Sequence, residues 1–294
     1  MSFLGNFKRL LKKAVPGSLL KGYYKRRRPH YLLPNEQLSF EVHLAEHCNL
    51  NCAGCNHFSP LAEPEFADPA ALGQDFARLA GLFNGRISGV RLLGGEPLLH
   101  PDISGCLRIT RSHFPQSAIS VVTNGLLLSS QKEAFWLACR ENQISVMVTR
   151  YPVKLAVEQL SDLAGKNSVE IGFSGKTPED VRNFTLVPLD LSGRRDKDLS
   201  FVMCNRANAC VALSRGRLFP CSTAAFIGHF NKFFQTNLAP GPEDGIDIYE
   251  ARSADEILSF LARPIPFCRF CDLRNKRDGL GWQVSRKSLA EWTG

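Results

Sequence analysis

Three cysteines fall within one short stretch, HCNLNCAGCNHF, at Cys48, Cys52 and Cys55. Thiols spaced this closely converge on one object. A structural zinc site closes four ligands, usually by pairing a C-x2-C with a distant second pair. Here three thiols share one loop, and no nearby His or Cys completes a tetrahedron well. A disulfide joins only two thiols. The sequence shows no secretory signal, so a reducing cytoplasm is the expected compartment. A [4Fe–4S] cube bound through three of its irons fits the spacing, leaving the fourth iron open to a small molecule. Ordinary buried thiols are the plain alternative.

The elements that must position this loop are legible around it. From residue 39, SFEVHLAE alternates apolar and polar up to the cysteines. PAALGQDFARLAGLF then puts Leu72, Phe76, Leu79 and Phe83 on one helical face. Strand and helix patterns follow in turn through ISGVRLLGGEP, DISGCLRITRSHF, AISVVTNG, QKEAFWLACREN, ISVMVTR, KLAVEQLSDLAG and SVEIGFS, and LSFVM at 199–203 reads as a sixth strand. Cys106 and Cys139 lie on the apolar helical faces and read as core. The alternation predicts an α/β fold, a partial (β/α)6 parallel barrel. In such folds chemistry gathers at the carboxyl ends of the strands. Those ends carry the cysteine loop, Gly94-Gly95-Glu96-Pro97, Thr123-Asn124-Gly125 and Thr149-Arg150-Tyr151.

The C-x3-C-x2-C loop, with GGEP one strand–helix–strand unit later, resembles the radical S-adenosylmethionine (SAM) enzymes. The resemblance implies that Cys48, Cys52 and Cys55 hold a [4Fe–4S] cluster whose open iron chelates SAM. It implies further that Gly94, Gly95, Glu96 and Pro97 bind the SAM ammonium group, with Gly94 and Gly95 letting backbone approach the ligand. Asn124 becomes a ribose or carboxylate contact, although T-N-G is also a common turn. The residue before the third cysteine is often aromatic in this family and packs on adenine; here it is Gly54. Its backbone could meet the adenine amino group, with His57 or Phe58 as the stacking face.

The C-terminal third holds a second set of thiols. Cys204-x11-Gly216-x4-Cys221, followed after 46 residues by Cys268-x2-Cys271, resembles the twitch or SPASM-type extension of radical SAM enzymes. No cysteine follows Cys271, which fits the short twitch form with one auxiliary [4Fe–4S] cluster. A four-cysteine zinc site is the alternative. Cys210 is spare: a substitute ligand for Cys204, a hydrogen-atom donor, or a buried thiol. The expected divisions are a basic amphipathic tail at 1–36, the radical SAM partial barrel at 37–198, a small cysteine-rich auxiliary-cluster domain at 199–275, and a C-terminal tail at 276–294.

Charge is unevenly spread. Nine of the 36 Lys and Arg lie in residues 1–30, which contain no acid, so the other 27 face 28 acids. Phe3, Leu4, Phe7, Leu10 and Leu11 recur at helical spacing among those cations, which suits a peripheral contact with the inner membrane face, a solvated arm or a partner contact. No apolar run approaches the ~20 residues that span a bilayer, and no basic patch with interleaved aromatics suggests nucleic acid.

The resemblance implies a 5′-deoxyadenosyl radical and an external electron donor such as flavodoxin or ferredoxin. The twitch arrangement is similar to that of family members that oxidise sugar-like alcohols, so the expected substrate is a small hydroxylated molecule. Arg150 at a strand end is the expected anchor or base, and Cys210 the expected hydrogen donor if the reaction is epimerisation. Peptide modification is a further enzymatic reading. A non-catalytic metal-binding adaptor is the reading from a different class, and the GGEP segment argues against it.

Overall fold

The computed structural model describes residues 15–28, 37–174, 184–238 and 240–294. A short helix, α1 (Gly17–Arg27), precedes the alternation β1 (Leu38–Ala45), α2 (Pro69–Phe83), β2 (Ile87–Gly94), α3 (Ile103–His113), β3 (Ala118–Thr123), α4 (Glu133–Glu141), β4 (Ser145–Thr149), α5 (Val157–Lys166) and β5 (Ile171–Ser174). β1 to β5 lie side by side in chain order, each parallel to the next. After β6 (Phe184–Leu186) and α6 (Lys197–Met203), β7 (Ala212–Ser214) joins the free edge of β1 in parallel. Antiparallel β8 (Arg217–Phe219) and, after α7 (Ser222–Phe234), β9 (Ile246–Asp247) extend it to eight strands in the order 5-4-3-2-1-7-8-9. Among the described residues β5 and β9 do not meet, so the sheet is open. The chain closes with α8 (Ala254–Leu261), β10 (Arg277–Leu280), which pairs antiparallel with β6, and α9 (Ala290–Thr293).

The first strand shows why the alternation arises. Leu38, Phe40, Val42 and Leu44 join the large core under the helices. Glu41 and His43, on the opposite face, are also buried, at 3% and 5% exposure. Period two therefore separates two interiors, one apolar and one charged, instead of inside from outside. Helix α2 supplies the apolar lid: Asp68 caps it by accepting from the Ala70 N–H, Pro69 opens it, and Asn84 ends it in the left-handed region at φ 44°. Its Phe76 is fully buried against Phe40 and Phe114. Truncating such a ring to Ala costs about 3–5 kcal/mol.

Two expectations need correcting. Residues 199–203 form helix α6, capped by the Asp196 carboxylate on the N–H groups of Asp198 and Leu199. Leu199 to Met203 are buried without a break, and a short fully buried run carries no period to tell helix from strand. The sixth parallel strand is β7. The second correction concerns the basic segment. Residues 1–14 lie outside the described residues, but α1 is docked, with Leu20 and Tyr24 buried among Val187, Leu199, Val202 and Leu273. Lys21 pairs with Asp196 at 2.9 Å, and Arg28 donates to the Met203 carbonyl at 2.9 Å. Four of the nine cations therefore belong to a packed helix, and Arg28 caps its end.

Candidate functional site

The carboxyl ends of β1 to β4 converge on one cavity of about 200 Å³. It is lined by Cys48, Cys52 and Cys55 from the loop after β1, by Gly94 and Gly95 from the end of β2, and by Asn124 and Tyr151 from beyond β3 and β4. A larger cleft of about 470 Å³ lies outside, along α5, away from every cysteine. The thiols mark the smaller cavity as the place for chemistry.

The glycines are dictated by backbone approach. A Cβ on Gly94 would strike the Ala45 carbonyl oxygen, and one on Gly95 the His47 carbonyl oxygen. The Gly95 and Glu96 N–H groups donate to those same two carbonyls at 2.8 and 3.1 Å. Gly94 and Gly95 thus clamp the end of β2 to the cysteine loop and leave their other faces on the cavity. Glu96 is fully buried and faces inward. Its carboxylate accepts from the Thr123 hydroxyl at 2.6 Å and from the N–H groups of Asn124 and Leu98 at 2.9 and 3.1 Å. Burial pushes its pKa up, and those three bonds oppose the rise. The carboxylate ties the ends of β2 and β3 together, and with Pro97 it stands off the cavity. Asn124 is set by that tie, and its amide donates to Asn49 at 2.7 Å.

Burial pushes the Cys48 thiol up to about 11 and Cys52 to about 12, and the charge of Cys55 adds to both. Near neutral pH these thiols hold their protons until a cation displaces them. No three His, Cys, Asp or Glu among the described residues converge closely enough to share a single ion. A cluster presents separate irons to separate thiolates, and three soft sulfur donors on one cavity suit it.

The C-terminal segment, expected as a tail, lies across this loop. The Ala53 N–H donates to the Gln283 carbonyl at 2.9 Å and the Ser285 N–H to Asn51 at 2.8 Å. Trp292 is buried and donates to the Cys55 carbonyl at 2.8 Å, while Trp282 donates to the Cys52 sulfur at 3.1 Å. Gly54 has φ +65°, and a Cβ there would meet the Glu291 carbonyl at 2.9 Å. The crossing segment accounts for a glycine where the family resemblance leads one to expect an aromatic. Phe58 is 1% exposed, packed on Phe230 and Trp292, and is no stacking face for a ligand.

The second set of thiols is assembled from distant pieces. Cys204 ends α6, Cys221 caps α7, Cys268 lies within the 3-10 turn Pro266–Phe270 and Cys271 ends it. Burial raises Cys221, Cys268 and Cys271, and the charge of Cys204 adds to the rise of each. Leu20 and Tyr24 of α1 belong to the apolar cluster around Cys204, Cys268 and Cys271. Cys210 is bridged to Cys221 through the backbone and lies beside Glu41 and Arg91. Arg150 lies off the cavity, its N–H donating to the Ser174 hydroxyl at 3.2 Å.

Next to the cysteine loop runs a polar row, His43 buried and the other members half-buried, that the sequence reading missed. His57 contacts His43 at 2.7 Å, His43 contacts Glu46 at 2.8 Å, and Glu46 contacts His229 at 2.9 Å. Burial alone would raise the Glu46 carboxyl, but His43 and His229 hold it well below the usual range. Beside the row, Arg91 pairs with Glu41 at 3.2 Å. Polar residues on the inward phase of β1 were the available signal.

No family model matches the chain. A GTP 3′,8-cyclase of Chlorobaculum tepidum is 33% identical over 87 residues, 30% of this chain and 26% of that one. The mitochondrial GTP 3′,8-cyclase of Arabidopsis thaliana is 34% identical over 94 residues, 31% and 23% of the two chains. The chain thus spans about a quarter of the length of the curated relatives it matches. Among solved structures, BtrN in complex with AdoMet and 2-DOIA aligns over 80% of this chain and 93% of its own, at 18% identity and TM-score 0.51. The curated matches support the radical SAM resemblance read from the cysteine loop, and BtrN shares the fold. Native anSMEcpe with bound AdoMet also aligns, at 14% identity, TM-score 0.48 and 81% and 84% coverage. That resemblance implies SAM and a [4Fe–4S] cluster as cofactors, and the three thiols on one cavity suit them.

Proposed function

We propose that Cys48, Cys52 and Cys55 hold the [4Fe–4S] cluster, that SAM enters the cavity beside Gly94, Gly95 and Asn124, and that the chain oxidises a small hydroxylated, sugar-like substrate. When bound, cluster and SAM supply a 5′-deoxyadenosyl radical able to remove a substrate hydrogen. The convergence of three loop thiols with two clamped glycines on one cavity carries this reading. The protein's own contribution is to fix that geometry, with Glu96 locking the ends of two strands and the C-terminal segment covering the loop.

Cys204, Cys221, Cys268 and Cys271 are proposed to hold an auxiliary [4Fe–4S] cluster that accepts the second electron of the oxidation. The charges of Cys204 and Cys221 reach both Cys268 and Cys271, which supports it, and zinc, which needs a tighter convergence than the described residues show, is the competing occupant. The fold-level likeness to BtrN, a chain of similar extent crystallised with 2-DOIA, supports a compact substrate. An iron–sulfur or flavin protein such as ferredoxin or flavodoxin would supply the first electron. The outer face of α1, with Leu19 and Tyr23 exposed beside Lys25, Arg26 and Arg27, suits peripheral contact with an anionic membrane at the cytoplasmic side. No described helix is long and apolar enough to cross one.

The test is anaerobic reconstitution with SAM, a reductant and small-molecule extracts. The expected result is 5′-deoxyadenosine together with a hydroxylated compound two hydrogens lighter. A product of unchanged mass carrying solvent deuterium would replace oxidation with epimerisation, and a modified peptide would replace the substrate class.

A further inference from the structure

Trp282 and Trp292 both reach the cysteine loop from the C-terminal segment, and they use their single donors differently. An indole N–H can only donate, and when buried it needs an acceptor. Trp292 gives its proton to a backbone carbonyl, that of Cys55, which is a packing arrangement. Trp282 donates its N–H to the sulfur of Cys52, at 3.1 Å. Tyr151, whose hydroxyl also bonds toward Cys52, lies against the Trp282 ring with centroids 6.4 Å apart. Cys48 receives a local N–H from Leu50 at 3.4 Å and a longer one from the Asn124 amide at 3.8 Å. One thiol of the three therefore has a donor imported from the far end of the chain.

We propose that Trp282 is a positioning residue that raises the reduction potential of the cluster on Cys48, Cys52 and Cys55 through its N–H···S bond to Cys52. The proposal rests on the cluster assignment made above. The physical reason is electrostatic. Reduction adds one electron, drawn from a low-potential flavin or iron–sulfur donor, and part of that charge resides on the sulfurs. A fixed N–H dipole aimed at a sulfur stabilises the reduced state more than the oxidised one. The indole proton stays on nitrogen throughout, and no bond to Trp282 forms or breaks.

The test is a redox titration of the full reconstituted chain, followed by electron paramagnetic resonance. The signal that changes on adding SAM identifies the first cluster, and any second cluster serves as an internal reference. Two variants are compared with the wild type: Trp282→Phe, and replacement of Trp282 by benzothienylalanine, which keeps the ring shape and removes only the N–H. At a fixed potential the ratio of reduced to oxidised first cluster should fall about threefold to tenfold in both, a tenfold fall being ~59 mV for one electron. The reference cluster should not move. An unmoved midpoint in the benzothienylalanine protein overturns the proposal, whatever Trp282→Phe does, because a shift in Phe alone would report a loosened segment. Equal shifts in both clusters overturn it likewise. A wild-type protein with no SAM-responsive signal overturns the cluster assignment first and the proposal with it.

Discussion

The two cysteine regions are built on opposite plans. Cys48, Cys52 and Cys55 sit on one loop, so their proximity is a property of local sequence. Cys204, Cys221, Cys268 and Cys271 come from a helix end, a helix start and a 3-10 turn, so their proximity is a property of the fold. Their covers are crossed as well. The first set is covered by residues 281–294 from the far C-terminus, and the second lies beneath α1 from the N-terminal end. Ligand spacing survives in a sequence when it is local, whereas a cover drawn from a distant chain end leaves no periodic trace.

The largest effect that sharpens this comparison is a separation of half-reactions. In a Cys268→Ala, Cys271→Ala variant whose circular dichroism is unchanged, 5′-deoxyadenosine should still form while oxidised product nearly vanishes. Oxidation at an unchanged rate would remove the second set from the chemistry.

Next comes the N-terminal cover. Leu20→Ala with Tyr24→Ala empties two buried positions and should cost about 2–5 kcal/mol for each side chain, measured by urea unfolding. It should also speed alkylation of Cys204, Cys268 and Cys271 in metal-free protein while Cys48, Cys52 and Cys55 react at their former rates. Acceleration at both sets would mean that the two covers are one cooperative unit.

The smallest effect is a null. Burial pushes Cys106 and Cys139 up to about 12, so at pH 8 both should stay unmodified by iodoacetamide in folded protein. Mass spectrometry that finds either one alkylated before unfolding would contradict their placement in the core.

Much of the barrel was legible because α2 and β1 each carry a full period: Leu72, Phe76, Leu79 and Phe83 on one face, and Phe40, Val42 and Leu44 on the other side of Glu41 and His43. The run at 199–203 was not, since burial on all sides erases the period that separates helix from strand. GGEP was legible as a position, yet its glycines serve backbone clamping and its glutamate serves strand coupling, distinctions that depend on the partners Ala45, His47 and Thr123. The row His57–His43–Glu46–His229 was hidden because its members are scattered across 43–229 and none forms a spaced motif.

The central claim is that the three loop thiols, and not the second set, support SAM cleavage. The most direct measurement is 5′-deoxyadenosine formation, alongside iron and sulfide content, in reconstituted wild type and in Cys48→Ala, Cys52→Ala, Cys55→Ala protein. The account predicts about eight irons and eight sulfides in the wild type, four of each per cluster, with roughly half of them lost and cleavage abolished in the triple variant. Cleavage that persists in the triple variant, or an iron content that does not fall, would contradict it.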